Sequence, residues 1–182
     1  MYGSTNGMSR SATHAAARFV AVLLVACFFA ACRKTVAPFS VAYVDQQITG
    51  TSAYPLAKNV RAVGHYAGLV KSGAGYFYDE VLEYRVWLHP ENGAENLAGD
   101  KDYFASFAQF ERALDYSKKH RGAEPPLVLV RQRESINEPT PGRFVWERHE
   151  RVTEWRVPWL ASSLRRPDSI TKFLATHDRA LQ

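Results

Sequence analysis

The alternation of apolar and polar residues in VLEYRVWLH, residues 81–89, constrains the fold more than any other stretch of the sequence. Successive side chains of a strand point to opposite faces, so this pattern predicts a strand with one buried face. The buried face is expected to carry Leu82, Tyr84, Val86 and Leu88, and the opposite face Val81, Glu83, Arg85, Trp87 and His89. Pro90 cannot donate a ladder hydrogen bond and is expected to end the strand.

The next two segments are predicted to be a helix and a strand. Residues 102–120 carry aromatic and aliphatic residues at helical spacing and basic residues at the carboxyl end, which predicts a helix with Asp100 or Asp102 as its N-cap. Residues 126–136 predict a second strand. Its opening is apolar on both faces, so we expect it in the centre of the sheet.

The remaining segments complete a small α+β pattern. RFVWER and RVTEWRV predict a hairpin that bends near His149 and Glu150. Asp168 is expected to cap a last helix, SITKFLATH. The order strand, helix, three strands, helix predicts a single α+β domain, with a mainly antiparallel sheet and two helices packed on one face.

An apolar block from Phe19 to Cys32 lies between the basic residues Arg10 and Arg18 on one side and Arg33 on the other. The block is shorter than the about 20 apolar residues that a helix needs to cross a bilayer. A basic start, a short apolar middle and small residues at the end are typical of a secretory signal. We therefore predict that residues 1–31 are a signal peptide.

The end of this block resembles the lipobox of bacterial lipoproteins, in which a small residue precedes a cysteine that receives lipid. Cys32 is the preferred lipidation site because cleavage there stops where the charged residues begin, and Cys27 is the alternative. Arg33 follows Cys32 where an inner-membrane lipoprotein has Asp, so the resemblance implies an outer-membrane lipoprotein of the cell envelope that faces the periplasm. The other interpretations are an ordinary cleaved signal with two incidental cysteines and a permanent inner-membrane anchor.

Composition sets the domain organisation and excludes some partners. The chain has a formal charge of +5, and two of its arginines but none of its acids lie in the leader, so the remainder is only mildly basic and no nucleic acid is expected as a partner. Both cysteines also lie in the leader, which excludes a disulfide or a zinc-thiolate site in the folded part. We predict a signal peptide over 1–31, starting at Met1 or Met8, a tether and irregular segment over 32–72, and the α+β domain over 73–182.

Glu83, Arg85, Trp87 and His89 share one face of the first predicted strand and are the candidate ligand-binding residues. A carboxylate, a guanidinium and an imidazole along one groove can bind a polar ligand or move a proton. The alternative interpretation is a solvated strand face with a Glu–Arg contact of little energetic value. The sequence predicts no metal site, because no two histidines stand at helical ligand spacing.

The runs DEVLEYRVWLHPENG, DYFASFAQFERAL, GAEPPLVLVRQRE, NEPTPGRF, ERVTEW and RRPDSITKFL resemble a small proteobacterial family whose members are often described as GCN5-related acetyltransferases. The resemblance covers residues 71–177 and implies an acetyl-CoA-dependent N-acetyltransferase. The family's pyrophosphate-binding pattern is R-x-x-G-x-G/A. The nearest string is RAVGHY, residues 61–66, with Tyr66 at the last small position, and no catalytic residue is carried over.

Two functional hypotheses follow. The first is a lipid-anchored envelope protein that acts as a binding or structural module without a cofactor, with an envelope protein or a polar small molecule as its partner. The second is an acetyltransferase-like enzyme that binds acetyl-CoA near Gly64. Coenzyme A is not expected in the periplasm, so a lipoprotein signal favours the first hypothesis.

Overall fold

The computed structural model describes residues 40–42, 51–97 and 99–178. The predicted signal peptide, both cysteines and both candidate start methionines lie outside the described residues. Within these ranges the chain forms a six-stranded sheet, a two-stranded sheet and two α-helices, and most strand pairs are antiparallel. The predicted α+β fold class is confirmed.

Eight strands and two helices are named here in chain order. They are β1 Ser40–Ala42, β2 Lys71–Ser72, β3 Glu80–Leu88, β4 Tyr103–Phe107, α1 Phe110–Lys119, β5 Leu127–Gln132, β6 Ser135–Thr140, β7 Arg143–Glu147, β8 Arg151–Arg156 and α2 Ser169–Asp178. The larger sheet has the order β1-β4-β3-β5-β8-β2, and β6 and β7 form the second sheet. At the two edges of the larger sheet, β1 pairs in parallel with β4 and β2 pairs in parallel with β8. The inner strand pairs are antiparallel. The apolar strand β5 lies inside this sheet, as its two apolar faces predict.

The prediction that β3 has a single buried face was wrong, because β3 is buried on both faces. A register shift between Val81 and Glu83 also breaks the strict alternation. Val81 lies opposite Val130, and Glu83 lies opposite the neighbouring Leu129. An extra residue in one strand of a pair reorients the side chains that precede it. Val81 therefore belongs to the apolar core that also contains Tyr84.

One face of the larger sheet carries this apolar core and is covered by α1. The core contains, among others, Tyr84, Val86, Leu88, Val128, Val130 and Trp155. Phe110 of α1 packs against this face, with its ring centroid 5.9 Å from that of Tyr84, and Ala113 is fully buried. Small and aromatic residues on one side of α1 thus bring the helix onto β3 and β4.

The predicted helix over residues 102–120 was wrong in its first half. Tyr103–Phe107 is strand β4, in which every residue is buried, and α1 begins at Phe110 after Gln109. Neither Asp100 nor Asp102 is the cap. The segment YFASF pairs with β3 over its full length, and burial on both sides of a sheet outweighs its helical spacing.

The predicted hairpin between RFVWER and RVTEWRV was also wrong. β8 pairs with β5, placing Thr153 opposite Val130 and Trp155 opposite Val128. β7 follows β6 after a turn at residues 141–142 and pairs with β6 instead. The reason is burial: Thr153 and Trp155 are buried beside the apolar strand β5, whereas β7 is exposed or half-buried along its length.

The second helix packs on the smaller sheet, whereas both helices were expected on one face of a single sheet. Phe173 of α2 lies 5.1 Å from Phe144 of β7 and 4.7 Å from Tyr76, measured between ring centroids. These rings, together with Phe77 and His177, form an aromatic cluster that joins α2, β7 and the residues that precede β3.

Residues 54–70 pass from one face of the larger sheet to the other beyond the end of β4. Tyr54 stacks edge-on against Phe110 on the α1 side, with centroids 4.9 Å apart. The backbone then pairs locally with the sheet, with Lys58 N–H donating to Val81 O at 2.8 Å. Val63 is fully buried on the opposite face. The described part of the predicted tether segment is therefore packed on the sheet.

Candidate functional site

The turn Gly73–Tyr76 has an unusual backbone conformation and borders the candidate site. All four residues have positive φ, with values of 61°, 66°, 95° and 63°, and two of them are not glycine. Left-handed conformations of this kind cost free energy for Ala74 and Tyr76 and persist only where surrounding contacts hold them. Such strain is concentrated at functional sites in proteins, so this turn marks a candidate site.

Contacts from two sheets hold this turn. Gly73 N–H donates to the backbone oxygen of Glu154 in β8 at 2.7 Å, and Ile136 N–H of β6 donates to Gly75 O at 3.2 Å. The buried Gln132 side chain donates to Phe77 O at 2.7 Å. Gly75 has a φ of 95°, which residues with side chains rarely adopt, and a Cβ there would lie 2.0 Å from Gln132 Nε2 and 2.1 Å from Arg151 Nη2, so glycine is strongly favoured at this position.

A cavity of about 500 Å³ opens beside the turn. Its lining includes Tyr76, Ile136, Glu138, Trp155, Trp159 and Ser163, and Ala74 and Asn137 complete it. The rings of Trp155 and Trp159 meet nearly at right angles, 71°, with centroids 6.0 Å apart. Trp155 is buried, whereas 44% of Trp159 and 36% of Tyr76 are exposed. Three aromatic side chains therefore line the cavity, and two of them, Trp159 and Tyr76, are partly open to solvent. Aromatic lining is typical of small-molecule sites.

Glu138 supplies the polar end of this aromatic pocket. Tyr76 Oη donates to Glu138 Oε2 at 2.6 Å, and Gly142 N–H donates to Oε1 at 2.8 Å. These two donors lower the pKa of the Glu138 carboxyl, the Tyr76 hydrogen bond having the larger effect. Burial, followed by the bond to Glu138, raises the pKa of the Tyr76 phenol to about 12. Near neutral pH the pocket thus holds a carboxylate and a protonated phenol.

Sequence reasoning missed this pocket. No role was predicted for the segments GAGY and PWLASS, which supply the turn and part of the lining. The signal that was present is the spacing of Trp155 and Trp159 in WRVPW, two large rings close in sequence. The two rings line one cavity with β6 only because β6 pairs with β7, whereas the sequence predicted a hairpin between RFVWER and RVTEWRV.

The structure brings three of the four predicted site residues together, but beneath the surface. Glu83 and Arg85 are fully buried, with Arg85 Nε 2.7 Å from Glu83 Oε1. Arg85 also donates to the backbone oxygens of Ala67, at 2.8 Å, and Gly68, at 3.3 Å. Gly64 N–H donates to Glu83 Oε2 at 2.6 Å. Residues 54–70 therefore cover Glu83 and Arg85 and use them as hydrogen-bonding partners.

Trp87 and Glu154 complete this buried charge network. Trp87 Nε1 lies 3.1 and 3.2 Å from the two Glu154 carboxylate oxygens, and Arg85 Nη1 lies 3.6 Å from Glu154 Oε1. Burial raises the pKa of Glu154, opposed by Arg85 and by the Trp87 hydrogen bond. The Arg85 guanidinium also lies over the Phe104 ring at 4.4 Å. Every polar group named here has a partner, so the network has the properties of a structural element.

The fourth predicted residue, His89, lies apart from that network. Its Nδ1 is 2.9 Å from Asp102 Oδ1, and its Nε2 is 3.1 Å from Glu124 Oε1. Partial burial lowers the pKa of His89, but the two carboxylates raise it by more, so the pKa lies above 6.5. The His89 ring thus joins the end of β3 to the segments that flank β4 and α1.

No protein-family model, curated protein or solved structure matches this chain. The resemblance to acetyltransferases therefore stays a prediction. In the corresponding segment, Gly64 N–H is directed at Glu83 in the interior. Among the described residues, no helix is long and apolar enough to span a membrane, and no cluster of His, Cys, Asp and Glu has the arrangement of a metal site.

We expect Arg85→Met to lower the free energy of unfolding by about 3–5 kcal/mol, because it leaves Glu83 as a buried charge without a cation. Arg133→Met is the control. Arg133 also pairs with a glutamate, Glu80, at 2.9 Å, but it is 58% exposed, and its loss should cost at most about 1 kcal/mol. Urea unfolding measures both. Equal losses for the two variants would contradict a structural role for the buried network, and adding Glu83→Gln to Arg85→Met should restore part of the loss.

Stability should also depend on pH through His89. Because its folded pKa is raised, its contribution is fully present below about pH 6.5, the unfolded value, and is lost as the pH rises through the folded value. His89→Gln should therefore destabilise the protein at about pH 5.5 by about 0.5–1 kcal/mol and have less effect near pH 8.5. Urea unfolding across this range measures the difference. Asp102→Asn should flatten the same profile, whereas Asp115→Asn, which removes an exposed partner of Lys119, should not.

Proposed function

We propose that this chain is a lipid-anchored protein of the cell envelope whose folded domain binds a small molecule in the aromatic pocket. The observation that carries the binding function is the cavity of about 500 Å³ between the two sheets, with Trp155, Trp159 and Tyr76 in its walls. Pockets of this size, mostly apolar and with a few fixed polar groups, are the usual form of small-molecule sites.

The construction of the pocket supports binding over a purely structural role. Trp159 and Tyr76 leave large parts of their rings exposed. Exposed aromatic surface is costly in water, and a ligand that covers it gains the corresponding free energy. Ala74 and Tyr76 are also held in left-handed conformations where the chain borders the pocket. A turn that only connected β2 to β3 would not need this strain.

The pocket also differs from the surface that the sequence suggested. The predicted binding residues Glu83 and Arg85 are fully buried, so a ligand cannot reach them while residues 54–70 are in place. Asn137, Glu138 and Ser163 instead supply hydrogen-bonding groups at the aromatic pocket. A polar small molecule with an apolar or aromatic face fits this set.

The envelope location is supported by the leader sequence. The basic start, the apolar block and the small residues before Cys32 or Cys27 together resemble a lipoprotein signal. Two or more acyl chains on that cysteine would hold the protein stably at a membrane. In that place the binding domain would face the periplasm, where it can meet envelope components and small solutes.

The binding function predicts that small fragments cluster at the pocket. In a fragment screen by two-dimensional NMR, the indole N–H signals of Trp155 and Trp159 should shift for hits of millimolar or better affinity. Trp159→Ala should weaken those hits by about tenfold, since one Trp face of this kind contributes about 1–1.5 kcal/mol. Trp146→Ala is the control, because Trp146 does not line the pocket. Acetyl-CoA is included as a ligand to test the acetyltransferase alternative.

The screen can overturn the proposal in two ways. Hits that cluster elsewhere on the domain, or hits whose affinity is the same in Trp159→Ala and the parent protein, would remove the pocket as the binding site. Acetyl-CoA that shifts signals around Gly64 and raises the melting temperature would favour the enzyme instead, because a ligand of the native state must stabilise it.

The anchor makes a separate prediction. Cys32→Ala should abolish the incorporation of labelled palmitate and release the protein from the membrane fraction, because the lipid is its only proposed attachment. Cys27→Ala is the matched control and should leave both unchanged. The reverse result would assign lipidation to Cys27. Membrane retention without label in both variants would contradict a lipid anchor.

A further inference from the structure

We infer that the aromatic pocket selects a ligand that carries a positively charged ammonium group. This inference rests on the proposed binding function and names the chemical class of the ligand. It follows from the charge of the lining residues, the arrangement that keeps that charge in place and the exposed aromatic rings that line the cavity.

The charge of the lining has one sign. Of the eight residues around the cavity, Glu138 carries a negative charge and the other seven are neutral. A cationic ligand is attracted to the Glu138 carboxylate.

The carboxylate is fixed at its position. Tyr76 Oη and Gly142 N–H donate to different oxygens of Glu138, at 2.6 and 2.8 Å. Because a carboxylate oxygen accepts more than one hydrogen bond, both oxygens retain capacity for a donor on the ligand. Tyr76 is in turn held between Phe144 and Phe173, with ring centroids 5.8 and 4.7 Å away. The negative charge is therefore preorganised, which lowers the entropy cost of binding a cation.

The aromatic walls add a second recognition element for a cation. Trp159 and Tyr76, which are 44% and 36% exposed, both line the cavity, so a ligand can contact two aromatic side chains at once. Indole has the most favourable face for a cation among the aromatic side chains, and sets of such faces around a carboxylate recognise alkylated ammonium groups.

A neutral ligand such as a sugar is the alternative, since it can stack on tryptophan and form hydrogen bonds with Asn137 and Glu138. The two classes respond differently to the loss of charge. A sugar needs Glu138 only as a hydrogen-bond acceptor, which glutamine replaces. An ammonium group needs the charge itself, and glutamine removes it.

Choline and its neutral isostere, 3,3-dimethylbutan-1-ol, test the inference because they differ in the charged nitrogen alone. N-acetylglucosamine serves as the carbohydrate probe. Binding is measured on the folded full-length domain by shifts of the Trp155 and Trp159 indole signals and by tryptophan fluorescence. We expect choline to bind at least about fivefold more tightly than the isostere, the scale of a solvent-exposed cation–π contact together with one exposed charge contact.

Glu138→Gln should reduce that preference to about threefold or less, because it removes the charge and keeps the shape. Glu91→Gln, at an exposed carboxylate in the turn Pro90–Asn92, is the matched control and should retain the preference. The comparison of the two probes on the unaltered protein remains decisive if Glu138→Gln does not fold.

The outcomes separate the ligand class from the binding function. Equal affinity for choline and its isostere, or binding of N-acetylglucosamine alone, would overturn the ammonium inference and leave the pocket as a binding site. A preference for choline that survives Glu138→Gln would also overturn it. Fragments that bind at the pocket while none of the three probes does would overturn the ligand class only. An absence of any binding at the pocket would overturn both proposals.

Discussion

The rest of the structure depends on the ion pairs and hydrogen bonds of the buried Arg85 guanidinium. Removing such a charge from water is costly, and the cost is offset here by Glu83, by Glu154 and by two backbone oxygens of residues 67–68. Those backbone oxygens belong to a segment that has little regular structure of its own. The charge therefore orders residues 54–70 over the second face of the sheet, a task that short apolar side chains such as Val63 could not perform alone.

The same network reaches the candidate binding site through Glu154. Its side chain accepts from Trp87 inside the sheet, and its backbone oxygen accepts from Gly73 at the start of the strained turn. The next residue, Trp155, forms a wall of the pocket. Strand β8 thus connects the interior charge to the pocket, and the position of the turn depends on how β8 is held between β5 and β2. The strain of Ala74 and Tyr76 is maintained by these contacts and by β6.

The pocket exists because two sheets meet. The larger sheet supplies Trp155, the smaller one supplies Ile136 and Glu138, and the turn Gly73–Tyr76 lies between them. Helix α2 contributes indirectly, since Phe173 supports the Tyr76 ring. A ligand there would contact elements that are far apart in the chain, and such sites are common where separate structural units converge. The proposed binding site therefore lies at this convergence and not on the face of a single strand.

The sequence by itself determined the fold class, the existence of β3, β5 and the two helices, and the placement of Glu83, Arg85 and Trp87 on one side of β3, because the periods of strand and helix are local properties of the chain. It could not determine that YFASF is a strand, that β7 pairs with β6, or that the charged side of β3 is covered. Each of these depends on which distant segment supplies a partner, and a strand's pattern does not identify its partner. The pocket was decided by tertiary structure alone, since Tyr76, Glu138 and Trp155 meet only after both sheets have formed.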